Sequence, residues 1–292
     1  MAEQFLMAID AGTGSVRAVL FRTDGTQLSC VQREWEHRED PRYPGSMDFD
    51  WVHNWDLACD CIRGVLEETR IDPKQIAAVS TTCMREGIVL YDKDGNEVWA
   101  CANVDARSND EVGKLIHMDP ELEKEIYLQS GQTYALGALP RLLWVKDKMP
   151  EIYEKVAEIG MFNDWLIRRL TGVEAVEPSN GSTTGIFDLR SRSWDASIAR
   201  KCGLRDDIFP PVMECGSIIE AGKGHEDLSA DPYRQGLRRY RGLHRGLHRL
   251  YAAKRRPEGL CRRRGLWPAG LEAPGGPPGG VHGAHQRPVS HP

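Results

Sequence analysis

Residues 1–230 of this 292-residue sequence predict an α/β fold, and three observations carry that reading. Short alternating apolar stretches bounded by Gly- and Asp-containing turns open the chain. An amphipathic helical stretch follows over Trp51–Arg70, and an apolar strand over Ile76–Thr82 comes directly after it. Mixed strand and helix patterns then continue to about Gly203, which places the segment in a mixed class rather than an all-helical or all-strand one.

Phe5–Asp10 and Val16–Phe21 are strand patterns flanking the turn Ala11-Gly12-Thr13-Gly14-Ser15, and Gln27–Glu34 continues an antiparallel meander after Thr23-Asp24-Gly25-Thr26. Trp51, Trp55, Ala58, Ile62, Val65 and Leu66 recur at helical spacing, so both tryptophans read as core packing. Gly87–Tyr91 and Glu97–Ala100 form a hairpin around Lys93-Asp94-Gly95-Asn96. Helices are expected over Glu111–His117, Pro120–Gln129 and Pro140–Lys148, with Pro140 at a helix start. Ala157–Phe162 reads as a strand, and Asp164–Leu170 as a helix closed by Thr171-Gly172. A last hairpin, Gly185–Trp194, precedes a helix ending at Cys202-Gly203.

Composition divides the chain. It is 40% apolar and 28% charged, the balance of a soluble globular protein. There is no secretory pattern at the start and no apolar run near the roughly 20 residues of a membrane helix. Eight cysteines with no CxxC pair read as reduced thiols of a cytoplasmic protein, not as a metal site. The net charge of −5 hides an asymmetry: residues 231–292 carry 13 basic and three acidic residues, leaving a net −15 on residues 1–230. In that tail nine of 62 residues are Leu or Val, with no Ile or Phe, while 19 are Gly or Pro. Too little apolar surface is available to bury a core, so the tail is expected to be disordered. Its Arg-, Gly- and Pro-heavy composition is that of an out-of-frame reading of a GC-rich gene, with the true frame lost near residues 225–232.

Chemistry concentrates in two places. In Asp10-Ala11-Gly12-Thr13-Gly14-Ser15-Val16-Arg17 the glycines let backbone approach a ligand, Thr13 and Ser15 offer hydroxyls, and Asp10 can reach a hydrated cation. It is not a Walker A loop, which needs Gly-Lys-Ser/Thr. The plain alternative is a tight hairpin with Asp10 capping the turn. Arg85 and Glu86, at a strand end, can take hydroxyls of a polyol in pairs, or can form an exposed ion pair. Asp105 and Arg107 either bind hydroxyls or brace each other. Asp164 reads first as a helix cap. Ser179 and Thr183 lie in a small-residue segment near the expected cleft, and His53 and His117 have no partner at metal or triad spacing.

"AIDAGTGSVRAVLF" resembles the first phosphate motif of the actin-like ATPase superfold in the form used by FGGY carbohydrate kinases, whose Asp-x-Gly-Thr-x-x-x-Arg matches Asp10, Gly12, Thr13 and Arg17. "STTCMREGIVLYDKDG", "ANVDARS", "FNDWLIRRLTG" and "PSNGSTTGIFDLRSRSWD" extend the resemblance to about residue 230. Within the family, "GSMDFD", "MREGIVLY" and "WACANVDARS" are most similar to the branch acting on the signal autoinducer-2. The resemblance implies an RNase H-like, actin-like lobe with a mixed sheet. It also implies ATP and Mg²⁺ at Asp10, Gly12, Thr13, Gly14, Ser15 and Arg17, with the metal on Asp10. A small sugar-like substrate would meet Arg85, Glu86, Asn103, Asp105 and Arg107.

In the family the catalytic carboxylate lies in a Gly-Gly-Gly-Asp-like segment opening a second lobe, and no such segment follows Glu214-Cys215-Gly216. A catalytic residue is therefore not assigned, and the chain is expected to be inactive alone. Two rival readings are a pentulose kinase such as a xylulokinase, and a non-catalytic sugar-binding protein whose basic tail holds nucleic acid. The second would call for aromatics interleaved with the arginines, and Tyr233, Tyr240 and Tyr251 are present but sparse.

Overall fold

The computed structural model describes residues 3–135 and 137–219. The domain boundary expected at 230 and the tail expected to be disordered lie outside the described residues.

The antiparallel meander is as expected: β1 (Phe5–Ala11), β2 (Ser15–Arg22) and β3 (Gln27–Glu34). The chain then crosses through α1 (Trp51–Thr69) to β4 (Ile76–Cys83), which adds to the free edge of β1 in parallel. The result is a mixed four-stranded sheet in the order β3-β2-β1-β4. Side chains alternate inward along β1 and β2, where Phe5, Met7, Ile9, Val16, Ala18 and Leu20 are buried. Trp55, Ala58, Ile62, Val65 and Leu66 of α1 belong to the same cluster, where each buried Ile, Val or Leu contributes about 1.5–3 kcal/mol. Asp50 caps α1 by accepting from the N–H of His53 at 2.9 Å. The thiol of Cys61 faces Val16 from α1 at 3.3 Å, and burial pushes it up to about 11.

A second sheet holds β5 (Ile88–Tyr91) between β6 (Glu97–Cys101) and β7 (Glu158–Met161), all antiparallel. Around it pack α2 (Asn109–Met118), α3 (Leu122–Ser130), α4 (Ala138–Lys148) and the short α5 (Pro150–Tyr153), forming a second apolar cluster. Helix α6 (Phe162–Thr171) instead contributes Phe162, Trp165 and Leu166 to the first cluster. The chain continues through α7 (Pro178–Gly181), the hairpin β8 (Phe187–Asp188) and β9 (Ser193–Trp194), and α8 (Ala196–Lys201).

Two expectations shift. Helix α4 starts at Ala138, so Pro140 sits in its first turn rather than at its first position. A first-turn residue needs no intrahelical N–H bond, so the proline is tolerated there. The short helices α5 and α7 carry too few residues to show a helical period, and the sequence pattern passed over both. No described helix is long and apolar enough to cross a membrane, and no described group of His, Cys, Asp or Glu has metal-site geometry.

Candidate functional site

The turn at residues 12–14 joins β1 to β2 and is closed by the N–H of Gly12 donating to the carbonyl of Ser15 at 2.8 Å. Its carbonyls are tied back to the segment after β3. The indole N–H of Trp35 donates to Gly12 and Thr13 at 3.1 and 3.0 Å, and the backbone N–H of Trp35 donates to Gly14 at 3.1 Å. His37 Nε2 also meets the Thr13 carbonyl at 2.7 Å. A trans peptide points its N–H opposite to its C=O, so anchoring the carbonyls of Gly12 and Thr13 turns the N–H groups of Thr13 and Gly14 the other way. Neither N–H has a protein acceptor among the described residues. Two adjacent outward N–H groups make an anion-binding concavity.

Glycine at position 14 has no internal explanation: its φ is outside the left-handed region, and a Cβ built there meets nothing within 4 Å. Space for close approach from outside is what that glycine preserves. Asp10, at the end of β1 beside the turn, has a side chain 28% exposed and accepts from Arg17 Nε and Nη2 at 2.8 and 2.5 Å. It therefore pairs across the hairpin instead of capping the turn. That pairing raises the Arg17 guanidinium above its ordinary value. A partly exposed carboxylate beside open N–H donors and the exposed Thr13 fits a hydrated divalent cation with phosphate oxygens.

Arg85 and Glu86 lie in the connection from β4 to β5. That connection follows the phosphate-type turn in space, because the N–H of Met84 donates to the carbonyl of Ala11 at 2.7 Å. The two side chains do not pair with each other. Arg85 is exposed and donates through Nη2 to the Ser179 carbonyl at 2.6 Å. The Glu86 carboxylate accepts from Gln132 Nε2 at 3.1 Å, and the same nitrogen reaches the Thr183 carbonyl at 3.2 Å. The segment around α7 thus backs the pair, as its small residues led us to expect. Glu86 adopts φ 72°, in the left-handed region. Beside it, a Cβ on Gly87 would stand 2.5 Å from the buried ring of Phe162, so the backbone there packs directly on that ring.

Asn103 completes the grouping. Its side-chain oxygen accepts from the Thr13 hydroxyl at 3.2 Å, joining the β6–α2 connection to the phosphate-type turn. Asp105 and Arg107 are placed differently. Asp105 is 1% exposed and accepts from Met47 N at 2.6 Å and Arg107 Nε at 2.7 Å. Arg107 also reaches Asp48 and lies over the rings of Trp99 and Trp144 at 5.2 and 5.0 Å. These two side chains brace each other inside the fold, and neither is presented at its surface. The structure brings Asp10, the 12–14 turn, Arg85, Glu86 and Asn103 together and keeps Asp105 and Arg107 behind them.

Asp164 accepts from the N–H of Met161 at 2.9 Å and caps α6. Its other oxygen is buried with no partner among the described residues, and burial raises the carboxyl well above its ordinary value. Sequence reasoning missed Trp35, His37, Gln132 and Arg141. The last is 1% exposed and donates to the carbonyls of Glu86, Asn103 and Asp105, the latter two at 2.9 Å.

Residues 5–226 match the FGGY family of carbohydrate kinases, N-terminal domain. The chain is 50% identical over 216 residues to an autoinducer-2 kinase of Salmonella typhimurium and 51% identical over 219 residues to one of Klebsiella pneumoniae. Each match covers 74% of this chain and 41% of the relative, so the chain spans under half the length of these curated relatives. Among solved structures, a xylulose kinase of Lactobacillus acidophilus superposes with a TM-score of 0.69 at 19% identity, covering 80% of this chain and 45% of that one. A gluconate kinase of the same organism gives 0.70 at 19%, covering 81% and 46%. These likenesses establish the actin-like ATPase fold of sugar kinases, and with the family match across residues 5–226 the chain belongs to the FGGY family of carbohydrate kinases.

Proposed function

We propose that this chain is the N-terminal lobe of an ATP-dependent carbohydrate kinase that phosphorylates autoinducer-2, in its linear dihydroxypentanedione form, on a primary hydroxyl. One observation carries the reading. The Ala11–Met84 and Thr13–Asn103 contacts, at 2.7 and 3.2 Å, set a phosphate-type turn directly against polar side chains suited to a polyol. The half-identity to autoinducer-2 kinases supplies the substrate.

In this reading the outward N–H groups of Thr13 and Gly14 meet phosphate oxygens, and the Thr13 and Ser15 hydroxyls add donors. Asp10 holds hydrated Mg²⁺, which when bound neutralises charge developing on the transferred phosphoryl group. Arg17 keeps the Asp10 carboxylate oriented. Arg85 and Glu86 take substrate hydroxyls, the first as donor and the second as acceptor, while Asn103 contacts either reactant from its place beside Thr13. Asp105 and Arg107 act behind them by keeping the Asn103 connection in place. The carboxylate that accepts the hydroxyl proton belongs to a second lobe, and these 292 residues contain no Gly-Gly-Gly-Asp-like segment after Gly216. Loss of a general base lowers rates about 10²–10⁴-fold, and loss of in-line positioning lowers them further.

Calorimetric titration of dihydroxypentanedione, with xylulose in parallel, tests the substrate, and ATP turnover tests the lone lobe. Binding of dihydroxypentanedione in preference to xylulose, lost in Arg85→Ala, is expected, with no turnover above a no-enzyme control. Preference for xylulose would move the assignment to a pentulose kinase, and turnover by the chain alone would refute the need for a second lobe.

A further inference from the structure

Arg141 stands on α4 between Pro140 and Leu142, both buried, in a stretch of helix that faces the interior. Its guanidinium is 1% exposed, and among the described residues no carboxylate lies within ion-pair distance of it. The carboxylate of Asp105, whose backbone it touches, is engaged by Arg107. Burying an unbalanced guanidinium is unfavourable, and if α4 needed only packing here, Leu or Met would supply it. The acceptors explain the choice. Nη1 donates to the carbonyl of Glu86, and Nη2 donates to the carbonyls of Asn103 and Asp105, each at 2.9 Å.

Those carbonyls lie on the two connections that carry the polyol-facing side chains: Glu86 between β4 and β5, and Asn103 between β6 and α2. The connections are 17 residues apart in sequence, and a single rigid fork spans them. Glu86 also holds φ 72°, a conformation that for a non-glycine residue needs support from its surroundings. The Arg141 donor is on the carbonyl of that same residue.

We infer that Arg141 is a positioning residue for substrate binding: its buried guanidinium joins the backbones of Glu86 and Asn103 and sets the spacing between their side chains. Gln132 completes the arrangement by orienting the Glu86 carboxylate from the other side. Recognition of adjacent hydroxyls needs donors and acceptors held to within about 0.5 Å, and two surface connections do not achieve this unaided. The inference rests on the polyol reading proposed above.

The test compares the parent chain with Arg141→Lys, Arg141→Met and Leu142→Ala, each first confirmed folded by its thermal transition. Dihydroxypentanedione is titrated by calorimetry well below that transition. Leu142→Ala removes a fully buried apolar side chain from the same helix and no hydrogen bond to either connection, and so reports loss of packing alone. Arg141→Met is expected to weaken binding tenfold or more. Arg141→Lys is expected to fall between Met and the parent, because one ammonium cannot reach three carbonyls in the same fork. Leu142→Ala is expected to lower the transition temperature while leaving affinity within twofold. If Arg141→Met does not fold, Arg141→Lys carries the comparison. Amide exchange over residues 84–87 and 102–106 should quicken in Arg141→Lys and not in Leu142→Ala. Parent-like affinity in Arg141→Lys with unchanged exchange, or equal weakening by Leu142→Ala, overturns the positioning role alone. A parent chain that binds no dihydroxypentanedione overturns the proposed substrate, and this inference with it.

Discussion

Position 86 offers a test of the site that needs no second lobe. Glu86 sits at φ 72°, where a Cβ crowds the following carbonyl at about 1–2 kcal/mol, and only glycine escapes that crowding. Glu86→Ala keeps the Cβ and its strain, and loses the 3.1 Å bond from Gln132, worth about 0.5–1.5 kcal/mol. Gln132 retains the Thr183 carbonyl, so no donor is orphaned by the change. Glu86→Gly loses the same bond but relieves the strain, offset by about 0.4–1 kcal/mol of extra freedom in the unfolded chain. Glycine is therefore expected to exceed alanine at this position by about 0.5–1 kcal/mol, the reverse of the usual order, and to lie close to the parent. Urea denaturation monitored by tryptophan fluorescence measures it, with a shift of about 2 °C in the thermal midpoint as a second reading. Both variants should lose dihydroxypentanedione binding, which separates stability from recognition at one residue. Alanine as stable as glycine would show that the left-handed backbone at 86 is not strained, and the reasoning would fall.

Three further outcomes are expected. Burial lowers His37 from its ordinary value of 6.5, so protonation favours the unfolded chain and stability should fall as pH drops from 7 to 5. His37→Gln, which keeps a donor for Thr13, should flatten that loss, and parallel pH profiles would count against the assignment. Burial raises Asp164 above 3.8, so its contribution is complete at low pH and declines as pH rises above that value, while Asp164→Asn should be insensitive; urea midpoints at pH 5 and pH 9 decide it, and equal pH slopes in parent and variant would contradict the upward shift. In an enzyme completed with the second lobe of an FGGY relative, Asp10→Asn should lower kcat about 10²–10³-fold with sugar KM unchanged, whereas Arg85→Ala should raise that KM; the reverse pattern would exchange the two roles.

Local signals carried most of the fold. Strands β1 to β3 follow from turn residues and alternation, and α1 from its helical spacing, because both patterns are complete within about 20 residues. The parallel addition of β4 beside β1 is a pairing across 71 to 72 residues, visible in the sequence only as an apolar strand without a stated neighbour. Within the candidate site, residues proposed to act through their own side chains were legible as candidates. Asp10, Thr13, Arg85, Glu86 and Asn103 are polar groups at the ends of apolar strands, where they have no packing role. Residues acting on another residue's backbone were not. Arg141 reads as one more charged residue of a helix, Gln132 as a loop amide, and Trp35 as a core aromatic, since a carbonyl acceptor leaves no mark in the sequence. Asp105 and Arg107 show the converse. Their spacing permits either a brace or a hydroxyl pair, and only burial separates the two, with Arg107 lodged against Trp99 and Trp144.

Unfavourable features are unevenly distributed in this lobe, and their distribution is informative. Three described non-glycine residues have positive φ: Arg70, Glu86 and Arg192. Arg70 closes α1, and Arg192 lies in the turn between β8 and β9, both places where chain reversal demands that conformation. Glu86 ends no helix, and it belongs to the β4–β5 connection, whose flanking strands lie in different sheets. Its conformation is held from outside by a guanidinium that is itself buried with no counter-charge among the described residues. Two unfavourable choices, a strained backbone and an unbalanced buried cation, thus meet at one carbonyl. Each makes little sense as packing, because Gly at 86 and Leu at 141 would avoid both. They make sense together if the Glu86 carboxylate must be aimed at the space beside Asn103 and the 12–14 turn. Under the proposed function that requirement comes from the substrate, since the fold's own hydrogen bonds would be met without it.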